Sequence, residues 1–366
     1  MATVTEAPQR VLIFLLGSLG DTLVALPALH LLARRFPDAE RRILTHSGVN
    51  PKAISMSSLL DGSGLVHGYF TFAPQSKRAA NMWALIRQIR AWKPDLVVHL
   101  HEPRGRLNAV RDLLFFRACG ARAVVGLPLS HDLQLPRYLP KDGRFEHRCE
   151  SIARGIAALG DLRLESPDSW SLGLSEAERQ RGAAAVAALR DCRGVIAFSI
   201  GTKFDVNDWE DGNWRGLLRQ LGRRLPGYGL VAVGALVERA RTGELLAEWP
   251  GPALNLCGSL AVRESAAVLG DCAVYVGHDS GPLHLAASVQ VRCVGIFGAR
   301  NLPGRWYPYG SRHRVLSRKV PCAGCELSVC TQFQKRCIMG IGIDEVADAV
   351  VDQVNARTAE RPLPAH

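Results

Sequence analysis

Twice along this chain, short apolar runs with no polar break alternate with amphipathic helical stretches, and that alternation leaves few folds open. Val11–Leu16 ends at Gly17 and gives way to a helical pattern over Thr22–Arg35. Arg42–Thr45, Leu96–Leu100 and Ala123–Gly126 read as further strands, with helical stretches at Asn81–Ala91 and Asn108–Ala118. A strand that is apolar on both sides must be covered on both faces, which calls for a parallel sheet between helices.

Residues 127–150, with Pro128, Pro136 and Pro140, read as irregular, and helical stretches follow at Glu150–Leu159 and Glu176–Leu189. From Val195 the alternation resumes more cleanly. Strands are expected at Val195–Ser199, Leu230–Val233, Leu254–Cys257, Ala273–Val276 and Val291–Phe297, with helices between them at Trp214–Arg224, Val237–Glu248, Val262–Leu269 and Pro282–Ser288. That is a second doubly wound α/β unit. The chain's 366 residues are too many for one ordinary core and suit two domains. We place them at 1–170 and 171–343, with a linker within 160–176. Residues 344–366 form a last helix, about Asp344–Asn355, and a tail of ten disordered residues.

The chain has no run of about 18 uncharged apolar residues, so no membrane span is expected. The first apolar run reads as a buried strand and not as a secretory signal. A cytoplasmic, reducing setting follows as the expectation, with the ten cysteines unpaired. The formal net charge is +11. Residues 1–170 hold 22 Lys and Arg against 15 Asp and Glu, and the remainder 23 against 19. The excess therefore leans to the first half. It suits a phosphorylated lipid or an anionic membrane surface, or it is a solvated Arg-rich face. Nucleic acid is disfavoured, because no basic motif is interleaved with aromatics.

Several turns at strand ends carry polar groups that can do chemistry. Gly277-His278-Asp279-Ser280-Gly281-Pro282-Leu283-His284 leads from a buried strand into a helix. Ser280 suits the N-cap, Pro282 the first helical position, and Gly277 and Gly281 close backbone approach. Such a helix start at the carboxyl end of a central strand can hold a diphosphate, with Asp279 accepting from sugar hydroxyls beside it. A capped turn with no ligand is the alternative. Gly17-Ser18-Leu19-Gly20-Asp21-Thr22 is a second such turn, and Asp21 there is either a general base or a helix cap whose pKa the helix start lowers.

Gly201-Thr202-Lys203 follows the first strand of the second half, and Lys203 can neutralise a phosphate. Glu238 follows the next strand, where an acidic residue can bind ribose hydroxyls or stand exposed in a first helical turn. Trp209 and Trp214 read as packing residues. Ser18, His99, His101, Glu102, Arg104 and Arg106 are candidates to line an acceptor site. Cys322, Cys325, Cys330 and Cys337 are spaced to permit a small zinc loop or to pack as reduced thiols.

Taken in order, these pieces resemble glycosyltransferase family 9, the lipopolysaccharide heptosyltransferase family. The resemblance spans about 11–355. It rests on Gly17–Asp21 with Leu26-Pro27-Ala28-Leu29, on Gly201-Thr202-Lys203 with Asp208-Trp209, on Gly277–Ala287, and on the four-cysteine tail. It implies a GT-B fold, two Rossmann-like doubly wound domains facing across a cleft, with the last helix returning to the first. It also implies an inverting, metal-independent transfer with no cofactor. The sugar is most simply heptose from ADP-heptose, and the acceptor a phosphorylated lipopolysaccharide-core glycolipid reached by peripheral contact with the inner membrane. Asp21 is then the base, and Thr202, Lys203, Glu238, Asp279, Ser280, Gly281, Pro282 and His284 serve the donor. One departure stands out: the family's phosphate lysine lies two residues before the tryptophan, where this chain has Asn207. That keeps open a different nucleotide-sugar for another surface glycan, or a non-catalytic nucleotide-binding relative.

Overall fold

The structure is a computed structural model and describes residues 7–46, 54–73 and 79–360. The chain divides into two compact units between Gly173 and Leu174.

The first unit holds a parallel sheet of β1 (Arg10–Phe14), β2 (Glu40–His46), β3 (Gly68–Phe72), β4 (Leu96–His99) and β5 (Ala123–Val125), in the order β3-β2-β1-β4-β5. β3 is absent from the sequence expectation, because Gly68–Phe72 mixes polar and aromatic residues at a sheet edge. The expected helix Thr22–Arg35 is two helices, Leu19–Val24 and Leu26–Arg35. Pro27 starts the second, because it lacks the N–H that a continuous helix would need there. One face of the sheet is sealed by the Ala79–Trp92 and Arg106–Ala118 helices, through Leu85, Ile89 and Phe116 against Leu12, Phe14 and Val97. The stretch read as irregular carries an antiparallel hairpin, β6 (Tyr138–Leu139) with β7 (Arg144–Phe145).

The second unit holds β8 (Val195–Ser199), β9 (Gly229–Ala232), β10 (Ala253–Asn255), β11 (Val274–His278), β12 (Cys293–Phe297) and β13 (Arg314–Ser317). They form one parallel sheet in the order β10-β9-β8-β11-β12-β13. The edge strand β13, Arg-Val-Leu-Ser, is not legible in the sequence because it holds only two apolar residues between polar ones.

The last helix is Ile343–Glu360. Val346, Val350 and Val354 are buried in the core of the second unit with Ile196, Trp214, Leu217 and Ile296, and the helix packs on β11, β12 and the Asp211–Arg224 helix. Its buried apolar residues pack within its own unit. The helix also takes in 357–360 of the tail expected to be disordered; residues 361–366 lie outside the described residues.

Candidate functional site

In both sheets the chain reverses direction beside the first strand of the unit. β1 lies between β2 and β4, and β8 between β9 and β11. Loops that leave adjacent strands in opposite directions open a crevice at their carboxyl ends, where ligands of open α/β sheets bind. The candidate residues of the first unit follow β1 and β4. Those of the second follow β8, β9 and β11.

At the first switch point, Ser18 is the N-cap of Leu19–Val24 and Asp21 stands at its third position, so Asp21 is not itself the cap. Its Oδ2 accepts the Ser18 backbone N–H at 2.7 Å and the Ser18 hydroxyl at 3.2 Å. Gly17 has φ +138°, and a Cβ there would overlap the Asp21 carboxyl group. Burial raises the Asp21 pKa, and the charge of Glu102 adds to that, against the Ser18 hydrogen bonds and Arg148. Desolvation outweighs the expected lowering by the helix start, so Asp21 is a stronger base than an exposed aspartate.

His101, after β4, packs edge-on to Phe14. Burial, then Arg104 and His99, push its pKa down to about 3, so it is neutral and cannot supply charge to a phosphate. Arg104 is tied to Asp112 at 2.9 Å, and His99 lies 3.6 Å from the same carboxylate. Arg106 is exposed at the start of its helix. Arg148 was missed by the sequence reading. It is buried, donates to the Leu100 carbonyl and the Ser151 hydroxyl, and is the positive charge that acts on Asp21. Nothing local marks it, because it comes from a helix far along the chain.

At the second switch point, Asp279 is held from two sides. Asn301 Nδ2 donates to its Oδ2 at 2.9 Å, and His284 Nε2 lies 3.9 Å from Oδ1. Ser280 occupies the N-cap of Gly281–Ser288, yet its hydroxyl donates to the His278 carbonyl at 3.3 Å and does not cap the helix. Gly277 serves internal packing, since a Cβ there would strike the Tyr275 ring. Glu238 folds back over the strand ends. Its Oε2 accepts the Ala235 N–H at 2.9 Å, and a Cβ on Gly201 or Gly234 would overlap its carboxylate. It is half-buried between the ends of β8 and β9, in the first turn of the short Leu236–Glu238 helix.

Thr202 Oγ1 donates to the Phe204 carbonyl. Lys203 Nζ lies 5.2 Å from the Phe204 ring centre, and the Arg300 guanidinium stacks on that ring at 3.8 Å. Arg300 also donates to the Leu327 and Glu326 carbonyls and to Asn301 Oδ1. Arg300 and Asn301 were overlooked in the sequence. Their one signal is position, just past the carboxyl end of β12, the same signal that singled out Asp279 after β11.

Asn207, two residues before Trp209, is buried against Gly298, and its Oδ1 accepts no hydrogen bond among the described residues. A lysine does reach this loop, from the cysteine-rich segment. Lys335 Nζ lies 2.7 Å from Glu210 Oε1 and donates to the Asp208 carbonyl at 3.3 Å. Trp209 and Trp214 are fully buried, as packing residues.

All four tail cysteines line one small cavity with Val206, Ala299 and Phe333. Backbone N–H groups of Lys335, Phe333 and Gln332 face Cys330 and lower its pKa. Among the described residues no three His, Cys, Asp or Glu side chains are grouped to hold a metal ion. No described helix is long and apolar enough to cross a membrane.

This pair of sheets is that of GT-B glycosyltransferases. The chain is similar to a glycosyl transferase family 9 structure from Veillonella parvula, with TM-score 0.71 and 18% identity, covering 95% of this chain and 98% of that one. It is also similar to the structure of the E. coli ADP-heptose lps heptosyltransferase II, with TM-score 0.63 and 17% identity, covering 95% and 99%. The sequence profile of glycosyltransferase family 9 (heptosyltransferase) matches residues 82–335, and this chain belongs to that family. Lipopolysaccharide heptosyltransferase 1 of Pseudomonas aeruginosa is 27% identical over 339 residues, 88% of each chain. The protein is therefore a glycosyltransferase.

Proposed function

We propose that this glycosyltransferase moves heptose from ADP-heptose onto a hydroxyl of a lipopolysaccharide-core or related glycolipid, with inversion and without a metal, at the cytoplasmic face of the inner membrane. The observation that carries the chemistry is Asp21, a half-buried carboxylate whose desolvation raises its pKa, at the switch point of the first sheet. The names of the Pseudomonas and E. coli relatives support heptose and its ADP-linked donor.

In this reading Asp21 takes the proton of the acceptor hydroxyl while that oxygen attacks the anomeric carbon. The bond from that carbon to the diphosphate oxygen breaks, and ADP leaves with the electron pair. Lys203, Arg300 and the start of the Gly281–Ser288 helix neutralise the leaving diphosphate. Asp279 accepts from sugar hydroxyls, steadied by Asn301 and His284. Glu238 accepts from ribose hydroxyls. Ser18, Arg104 and Arg106 serve the acceptor, and His101 does so as a neutral donor or acceptor.

A thermal-shift screen of nucleotide-sugars tests the donor. ADP-heptose is expected to stabilise the protein in proportion to its concentration over Kd, and to turn over equally in excess EDTA. Stabilisation by another nucleotide-sugar alone points to a different surface glycan, the reading that Asn207 keeps open. No response to any nucleotide-sugar defeats both.

A further inference from the structure

We infer that the outer face of the Ala79–Trp92 and Arg106–Ala118 helices is a docking surface for an anionic lipid bilayer. The two helices pack side by side on one face of the first sheet. Their inward residues are accounted for by the core. Their outward residues are not what a water-facing helix carries. Leu107 is 87% exposed, Leu114 65% and Trp83 62%, with Met82 and Val110 also exposed. Leu107, Val110 and Leu114 stand three and seven residues apart, which places them along one stripe of their helix.

Scattered exposed leucines need no explanation, but a tryptophan, a methionine, two leucines and a valine on two adjoining helices do. Charge identifies the occupant. Arg87, Arg90, Arg106, Arg111 and Arg117 are exposed on the same two helices. The one acidic side chain the helices carry, Asp112, is buried and held by Arg104 and Arg111. An apolar stripe with tryptophan, fringed by arginine and free of exposed carboxylate, matches the interface of a bilayer with negative headgroups.

Position gives the surface a use. Both helices begin at the carboxyl end of the sheet, since each follows a strand and runs back against it. Trp83 and Leu107 lie in their first two turns, toward the rim that carries Asp21. A bilayer held there would present a membrane-anchored hydroxyl to that aspartate. This use rests on the function proposed above; the surface itself does not.

The test is co-sedimentation of the full chain with vesicles of phosphatidylethanolamine and phosphatidylglycerol, and separately of phosphatidylcholine, neither holding glycolipid. The protein is expected to pellet with the anionic vesicles and to be released as salt rises. A variant with Trp83→Glu, Leu107→Glu and Leu114→Glu should lose at least about tenfold in partitioning while keeping its melting temperature and its response to nucleotide-sugar. Arg87→Glu with Arg90→Glu should weaken binding to the anionic vesicles. The proposal is overturned if the wild type pellets with neither vesicle or equally with both, or if the triple variant binds undiminished. It is equally overturned if the wild type sediments as a dimer that the triple variant dissociates, for then a second copy covers the face. Because donor response is read separately, loss of vesicle binding leaves the proposed transfer standing, and loss of donor response leaves the surface standing.

Discussion

The backbone N–H of Trp209 donates to Nε2 of His278 across 3.1 Å, tying the loop after β8 to the carboxyl end of β11. His278 is fully buried, and burial lowers its pKa from 6.5 to about 4. The ring must stay neutral to accept that bond. As pH falls, the unfolded chain takes up the proton first, so stability drops between about pH 6.5 and 4. The shift corresponds to about 3 kcal/mol. Denaturant unfolding at pH 7 and pH 4 should show that loss, and His278→Gln should show less of it.

Asp21 carries the opposite sign. Its folded pKa is raised, so at neutral pH its ionised form costs stability that a neutral residue does not. Asp21→Asn should melt higher than wild type at pH 7, with the difference vanishing below the ordinary carboxylate range. Transfer should fall by about 10²–10⁴ in kcat, the usual contribution of a general base. In the wild type, kcat/KM should decline as pH drops through the raised value. Transfer at the wild-type rate in Asp21→Asn would remove Asp21 from the mechanism.

Gly17 is required by two independent constraints, its φ of +138° and the Asp21 carboxyl where a Cβ would stand. Gly17→Ala should cost about 1–3 kcal/mol in stability. It should also lower transfer more than a destabilised but intact site would, measured at a temperature where the variant remains folded.

Arg300 and Lys203 flank Phe204, but Arg300 alone is anchored, on the Leu327 and Glu326 carbonyls. A preorganised guanidinium loses less entropy on meeting a diphosphate. Arg300→Ala is therefore expected to weaken donor binding by about tenfold or more, and Lys203→Ala by less, in titration calorimetry. The reverse order would make Lys203 the replacement for the lysine missing at Asn207.

Cys330 should be the first cysteine to react with iodoacetamide at neutral pH. It is partly exposed and its thiol pKa is lowered, whereas Cys119, Cys149, Cys257, Cys272 and Cys293 are buried with raised values. Peptide mass spectrometry of a partial alkylation reads the order directly.

Local pattern was enough for the alternation of strands and helices, for the helix that starts after Ser280, and for the turn that holds Asp21. Each depends on residues within one turn of one another, and apolar period and capping chemistry are local. The edge strands β3 and β13 were not legible, because an edge needs no apolar face on both sides. Only the tertiary structure decided the rest. Burial by distant residues raised the Asp21 pKa against the local effect of its helix. Arg148, Arg300 and Asn301 came to the switch points from other elements. The last helix went to the core of its own unit, and the exposed stripe from Trp83 to Leu114 was left uncovered. Desolvation, long-range pairing and the choice of partner for an apolar face are properties of what surrounds a residue in space, and a sequence records only its neighbours along the chain.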